Sequence, residues 1–418
     1  MHEEARHKAR ALRKPLDPIT HGIAGALIGK GFFSEREGKI ATFAAALGAV
    51  FPDVDFFAIV WAEIFSDDRL ATIKLHRGFT HSFFGLPLFA LVLAWLTRWY
   101  CRRRNWRAPS FWMLTLFYGV GIASHILFDS ATSYGTRIWN PFSAERVAWD
   151  FVFIIDFVFT AIVLLPQAAA WVFSDREKGA VRGGSMWLLF NVSAAGVWWI
   201  ARWFGFPFHA WVLLVVAAAL AGIFLLPLAR DRGFRISRGL WCRAGVYALV
   251  AYLALCAWAH HFAMERVRDY AMRNHLDVIL LGAIPSPPSF LEWSGKIRTA
   301  AGIYQSRIDL RDSRAAAFQF LPDSPPDAFT AEALKNPDVQ VYLWFARFPV
   351  MHSRTVGDLH LVEFGDSRFS EPGQRMPAPF RFRLLFDASG KLIEEDWAEG
   401  MAGIRRNKSR MPAAETKP

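Results

Sequence analysis

The sequence predicts an α-helical polytopic membrane bundle of about seven spans, followed by a small C-terminal β-rich soluble domain. Three observations carry this expectation. Of the 418 residues, 53% are hydrophobic, with 38 Phe and 18 Trp, a share that a water-soluble chain keeps only by burying nearly all of it. The hydrophobicity is concentrated before about residue 262, in long runs separated by basic turns. After residue 263, segments such as VQVYLWFARF and PFRFRLLFDASGKLIEEDW alternate apolar and polar residues with the period of a strand.

The chain opens on a basic segment, residues 1–16, with Arg6, Lys8, Arg10, Arg13 and Lys14. The apolar stretch behind it, Ile19 to Phe33, contains His21 and Lys30, is rich in Gly and lacks a small-residue cleavage site. It reads as retained rather than as a signal peptide, and as a re-entrant or tilted helix because it is too short to cross comfortably. Ile40 to Ile64 is long enough to span but carries Asp53 and Asp55. Phe83 to Thr97, Phe111 to Phe128, Phe151 to Phe173, Met186 to Ala201, Ala210 to Ala229 and Ala244 to Ala259 are the remaining expected spans. Pro285, Pro287 and Pro288 mark a linker into the soluble region, and Asp387-Ala388-Ser389-Gly390 a hairpin turn. The tail ending in MPAAETKP reads as disordered. No internal repeat is visible.

The formal net charge of +11 suggests nucleic acid only until its placement is considered. Arg102, Arg103, Arg104 and Arg107 lie between two apolar runs, and Arg230, Arg232, Arg235 and Arg238 between two more. Such clusters are the cytoplasmic retention signal, so no nucleic-acid partner is expected. They put the turns at 98–107 and 230–243 in the cytoplasm, and the loops at 64–80 and 130–150 and the C-terminal region on the opposite side. Cys101, Cys242 and Cys256 form no CxxC pair, which argues against both a disulfide framework and a thiolate zinc site.

Ionisable residues at a span centre cost roughly 2.5–3.5 kcal/mol each, so they persist where they pair, bind ions or line a wet cavity. Here they recur in four short groups. DPITHG spaces Asp17 and His21 i,i+4 on one helix face, and an Asp N-cap beside an exposed His would give the same pattern. FPDVD places Asp53 and Asp55 in an apolar run, where two buried carboxylates call for a cation unless Pro52 breaks the helix and lets both reach water. HRGFTHS sets His76 and His81 around a glycine, with Thr80 and Ser82 able to orient ligands and Arg77 able to hold an anion such as phosphate; two incidental interfacial histidines are the bland alternative. SHILFD puts His125 and Asp129 on one face at i,i+4, which a plain His–Asp hydrogen bond would also explain. Downstream, Asp150 and Asp156 are placed to close the site or act as base, and Asp156 equally to pair with a basic residue of another helix.

Together these residues offer imidazoles and carboxylates without thiolate, a set that suits zinc, manganese or iron better than calcium, in one or more ions. An ion that activates water makes a hydrolytic centre. The expected ligands are His21, Asp53, Asp55, His76, His81, His125 and Asp129, with Asp53, Asp150 and Arg77 expected in catalysis. Residues 17–165 then form the metal-binding core, 166–262 additional transmembrane helices, 263–404 the soluble domain and 405–418 the tail.

DPITHG, FPDVD, HRGFTHS and SHILFD, in this order and spacing, resemble the YdjM-like family of bacterial inner-membrane metal-dependent hydrolases over roughly residues 15–165. That family is grouped with zinc-dependent phospholipases C and a class of zinc nucleases. The resemblance implies metal-dependent hydrolysis of a phosphoester, in this membrane setting that of a lipid or lipid-linked substrate. His21, Asp53, Asp55, His76, His81, His125 and Asp129 fall on the family's motif positions, with Asp17 and Asp150 matching less closely. Two rivals predict otherwise. A cation- or proton-coupled transporter would disperse its acidic residues over two related halves, and a metal-stabilised sensor or scaffold would close its ion with four ligands.

Overall fold

The computed structural model describes residues 18–66, 68–203, 209–286, 290–370 and 380–398. Asp17, the basic N-terminal segment and the expected C-terminal tail lie outside the described residues. The first helix, α1 (Pro18–Phe32), turns at Phe33 into α2 (Ser34–Val50), and the two form a tight hairpin. Gly25 permits this approach, since a Cβ there would stand 2.5 Å from the Ala45 carbonyl oxygen. Pro52 then breaks the apolar run into a 3-10 turn, Phe51–Val54, before α3 (Asp55–Phe65). A short helix, α4 (Ala71–Leu75), and a second 3-10 turn, Phe79–His81, lead into α5 (Gly85–Arg103). α6 (Phe111–Ala131) is capped by Ser110 and packs on α2, where Gly121 gives up its side chain: a Cβ would meet the Ala45 oxygen at 2.3 Å.

After a long loop come α7 (Phe157–Val172), the hairpin of α8 (Gly179–Trp203) and α9 (Trp211–Phe224), and α10 (Arg238–Arg273). α10 packs against α1 and α7 around Leu27, Phe159, Val163, Cys242 and Leu249, while α2, α5 and α6 share a core of Ala41, Ala44, Leu93, Phe117 and Ile122. Large apolar side chains such as Phe57, Trp61, Trp95, Leu189, Trp199, Leu214 and Val250 point outward, as lipid-facing residues do.

Five helical stretches are long and apolar enough to cross a membrane: Ser34–Phe65, Phe111–Ala131, Gly179–Trp203, Trp211–Ala229 and Arg238–Arg273. The expected count of seven is therefore not reached among the described residues. Asp156 starts α7 six residues later than the expected span, leaving 16 residues, and the last turns of α5 hold Arg98, Arg102 and Arg103.

α10 runs unbroken for 36 residues, about 54 Å at 1.5 Å per residue, well beyond the hydrocarbon core. Its final turns carry Ala263, Val267 and Ala271 into the packing of the first of two four-stranded antiparallel sheets, against Ala283, Trp293, Ile297 and Ile308. That sheet is β1 (Leu280–Pro285), β2 (Glu292–Thr299), β3 (Gly302–Asp309) and β4 (Gln319–Pro322). The proline-rich stretch expected as a linker thus joins β1 to β2; Pro287 and Pro288 themselves lie outside the described residues. The second sheet is β5 (Pro349–Val356), β6 (Leu359–Asp366), β7 (Arg381–Phe386) and β8 (Leu392–Ala398), with α11 (Ala328–Ala333) and α12 (Pro337–Phe345) beside it. The β7–β8 turn falls on Asp387–Gly390 as expected, with Gly390 at φ +84°.

The VQVYLWFARF segment, expected as a strand, is instead mostly α12. Asn336 accepts from the Asp338 and Val339 amides, Pro337 occupies the first turn, and Val339, Tyr342 and Phe345 recur at a spacing that buries one helical face. That face packs with Phe364, Phe382 and Trp397 and with Leu70, Ile73 and Tyr134 of the membrane region. The C-terminal sheets therefore lie on the side of the loops at 64–80 and 130–150.

Candidate metal centre

Five segments bring the His/Asp groups together. His21 comes from α1, Asp53 and Asp55 from the 3-10 turn and the start of α3, His76 from the residue after α4, His81 from the second 3-10 turn, and His125 with Asp129 from α6. The break at Pro52 does not lead these carboxylates away to water. It turns both inward, so that all seven expected ligands fall into three overlapping groups: His21, His125 and Asp129; Asp53, His81 and His125; Asp55, His76 and His81.

At the centre, His81 Nε2 and His125 Nε2 are 3.1 Å apart. Asp129 Oδ2 lies 3.3 Å from the first and 3.4 Å from the second, and Asp53 Oδ1 is 3.6 Å from both. Two donors of a tetrahedral zinc ion, with bonds of about 2.0–2.2 Å, stand roughly 3.3–3.6 Å apart. The separations in the cluster fall close to that edge length. To one side, His21 Nε2 is 3.4 Å from Asp129 Oδ1, and its ring stacks on His125 with centroids 3.9 Å apart. On the other, Asp55 reaches His76 Nδ1 at 3.2 Å and His81 Nδ1 at 3.5 Å.

The outer contacts fix the rings. His125 Nδ1 is 2.7 Å from the Ala49 carbonyl oxygen, which only accepts, so Nδ1 carries the proton and Nε2 turns a lone pair inward. Thr80 Oγ1 lies 3.0 Å from His81 Nδ1, the orienting place expected for it. Ser82 serves elsewhere, accepting from the Gly85 amide at the start of α5. Arg77 adopts a left-handed backbone, φ +57°, that aims its amide at Asp55 Oδ2 (3.0 Å). Its guanidinium pairs with Asp129 Oδ1 at 2.8 Å and donates to the Asp129 carbonyl and Thr132 Oγ1.

Charge and unmet bonding favour a cation. Asp53, Asp55 and Asp129 bring three negative charges and Arg77 one positive, leaving two for a divalent ion to balance. Asp129 Oδ2 is buried without a hydrogen-bond donor although two imidazole nitrogens face it. Burial pushes the His81 imidazole down, yet the facing carboxylates of Asp129, Asp53 and Asp55 outweigh it and raise His81 to about 9. Without a metal, a proton on His81 takes the cation's place. The donor set thus fits an ion held by His81, His125, Asp129 and Asp53, with His21, His76 and Asp55 on its flanks.

Three of the expected residues have other partners in the structure. Arg77 is occupied with Asp129 and Thr132, so it orients a ligand rather than offering its fork to an anion. Asp150 belongs to none of the three groups; buried and at φ +57°, it accepts both bonds of a pair with Arg347, at 2.9 and 3.0 Å. Asp156 caps α7 through the Val158 and Phe159 amides and accepts from the Tyr252 hydroxyl at 2.6 Å, and among the described residues it joins neither the His/Asp groups nor a basic side chain. The Ala49 carbonyl could not be foreseen, since backbone acceptors have no residue signature, and Arg347 lies far along the chain from Asp150.

No curated protein and no solved structure matches the chain. The model of the YdjM inner membrane proteins does, over residues 16–203, in agreement with the resemblance carried by the four motifs. The residues matched by the model of the YdjM inner membrane proteins, 16–203, contain all seven clustered His and Asp side chains.

Proposed function

We propose that this protein is a membrane-embedded metal-dependent hydrolase that cleaves a phosphoester of a lipid or lipid-linked substrate. The observation that carries the reading is the cluster of His81 Nε2, His125 Nε2, Asp129 Oδ2 and Asp53 Oδ1 at 3.1–3.6 Å, buried and short of two positive charges. When bound, a divalent ion supplies Lewis acidity and acidifies water, the chemistry that ester hydrolysis requires. The protein holds and aims the donors: Ala49 fixes the His125 tautomer, Arg77 holds Asp129, and Asp55 with Thr80 turns His81. Zinc suits the mixed imidazole and carboxylate set, with manganese or iron as substitutes. The bilayer on which the apolar helix faces rest favours a lipid-borne phosphate as substrate. The basic turns at 98–107 and 230–243 support a cytoplasmic position for themselves, and so an extracytoplasmic one for the centre and the C-terminal sheets.

One feature favours a second reading. Four protein donors already complete a tetrahedral ion, the pattern of a structural zinc site, and the metal would then only stabilise a sensor or scaffold. Phospholipids and lipid-linked phosphates incubated with the full chain in detergent, with and without added zinc, separate the two. The hydrolase reading expects metal-dependent release of a phosphate-bearing product that His81→Ala abolishes while membrane insertion is kept. Zinc bound tightly with no cleavage of any substrate in the set supports the structural reading.

A further inference from the structure

The loop that carries His76 and Arg77 is secured from outside the metal centre. α4 is only five residues long, and the carbonyls at its C-terminal end have no following turn to receive them. Two arginines of the loop between α6 and α7 take that place. Arg146 donates through Nη2 to the Ile73 and His76 carbonyls, both at 3.1 Å, and through Nη1 to Gly135. Arg137 donates through Nη2 to Lys74 at 2.7 Å and Leu75 at 3.3 Å, and its amide donates to the Arg77 carbonyl at 3.1 Å. Every carbonyl from Ile73 to Arg77 is thereby held by one of these two residues.

Neither arginine has a carboxylate within ion-pair distance among the described residues. A half-buried guanidinium without a counter-ion needs other compensation, and aromatic faces provide it. Trp344 covers both, at 5.6 Å from Arg137 and 5.2 Å from Arg146, and Phe345 covers Arg146 at 5.3 Å. Tyr134 lies 5.3 Å from Arg146 and 5.0 Å from Arg77. With terminal nitrogens on backbone carbonyls and faces under rings, these side chains brace the loop. Trp344 and Phe345 belong to α12, so the brace originates in the C-terminal region.

We propose that the C-terminal region is a positioning element of the metal centre: Trp344 and Phe345, acting through Arg137 and Arg146, fix the loop bearing His76 and Arg77 and so set metal affinity. This rests on the reading that the His/Asp cluster binds a metal ion. Outer contacts of this kind typically contribute about 10–100-fold in affinity.

The test is titration of the full chain in detergent with Co²⁺, following the ligand-field absorption bands. Trp344 is 40% exposed, so its removal spares the core. Trp344→Ala and Arg146→Met are expected to bind Co²⁺ at least about tenfold more weakly, with an altered spectrum, and Trp344→Phe to restore both. If Arg146→Met fails to fold, Arg137→Met on a less buried side chain carries the same expectation. Wild-type affinity and spectrum in these variants, with His125→Ala binding no Co²⁺, would overturn the brace and leave the metal reading standing. A Trp344→Phe variant as weak as Trp344→Ala would overturn the ring-stacking route. A wild-type chain that binds no Co²⁺ would overturn the metal reading and the brace together.

Discussion

His125 donates its Nδ1 proton to the Ala49 carbonyl at 2.7 Å, and this bond turns its Nε2 toward His81 Nε2, 3.1 Å away. The contact exists because α6 approaches α2 at Gly121, beside Ala45 and Ala49. Gly121→Val would force the helices apart. We expect a stability loss of about 1–3 kcal/mol in thermal unfolding, together with weaker zinc binding in calorimetry. Unchanged zinc affinity in a destabilised variant would show that the helix spacing does not aim His125.

The metal-free centre should respond to pH through His81. Its folded value, about 9, lies above the ordinary 6.5. The proton on His81 therefore stabilises the metal-free fold fully below about pH 6.5, and this contribution is lost as pH rises through about 9. A metal ion must displace that proton, so metal affinity should climb across the same window. Thermal melts from pH 6 to 9.5 check the first expectation, and proton release on zinc addition in buffers of different ionisation enthalpy checks the second. A melting temperature and a zinc affinity that are both flat over this window would contradict the assignment.

Arg77 holds Asp129 Oδ1 in a buried pair. Arg77→Met should destabilise the metal-free protein by about 3–5 kcal/mol, the cost of stranding a buried partner. Added zinc should recover part of that loss by neutralising Asp129. A loss indifferent to zinc would indicate a purely structural pair, which unfolding curves with and without zinc distinguish.

The site was legible because charge inside apolar sequence is costly: His21, Asp53, Asp55, His76, His81, His125 and Asp129 stand out from their runs, and the structure brings all seven together. What could not be read were roles set by distant partners. Asp150 and Asp156 looked like site residues through chain proximity, but Arg347, at 2.9 Å, and Tyr252, at 2.6 Å, take them elsewhere. α12 was misread because alternating Val, Tyr, Leu and Trp fits a strand as well as a half-buried helix, while the Asn336-Pro337 start signal pointed the other way. The expected span count exceeds that among the described residues because an apolar run alone does not show where Asp156 caps α7, or how the arginines in the last turns of α5 end its apolar stretch.

Asp156 supports α7 and not the chemistry, so Asp156→Ala should cost about 1–2 kcal/mol through the lost cap and leave the zinc content untouched. Metal analysis beside unfolding curves checks both. A variant that keeps its stability but loses zinc would return Asp156 to the site.

Imidazoles and carboxylates from five separate segments converge on one centre with the donors to capture a divalent ion. Elemental analysis of the purified full chain, after equilibration with zinc and removal of the free ion, tests it most directly. At least one zinc per chain is expected in the wild type, and its loss in both His81→Ala and His125→Ala. A folded wild-type chain that retains no zinc, or variants that retain as much as the wild type, would contradict it.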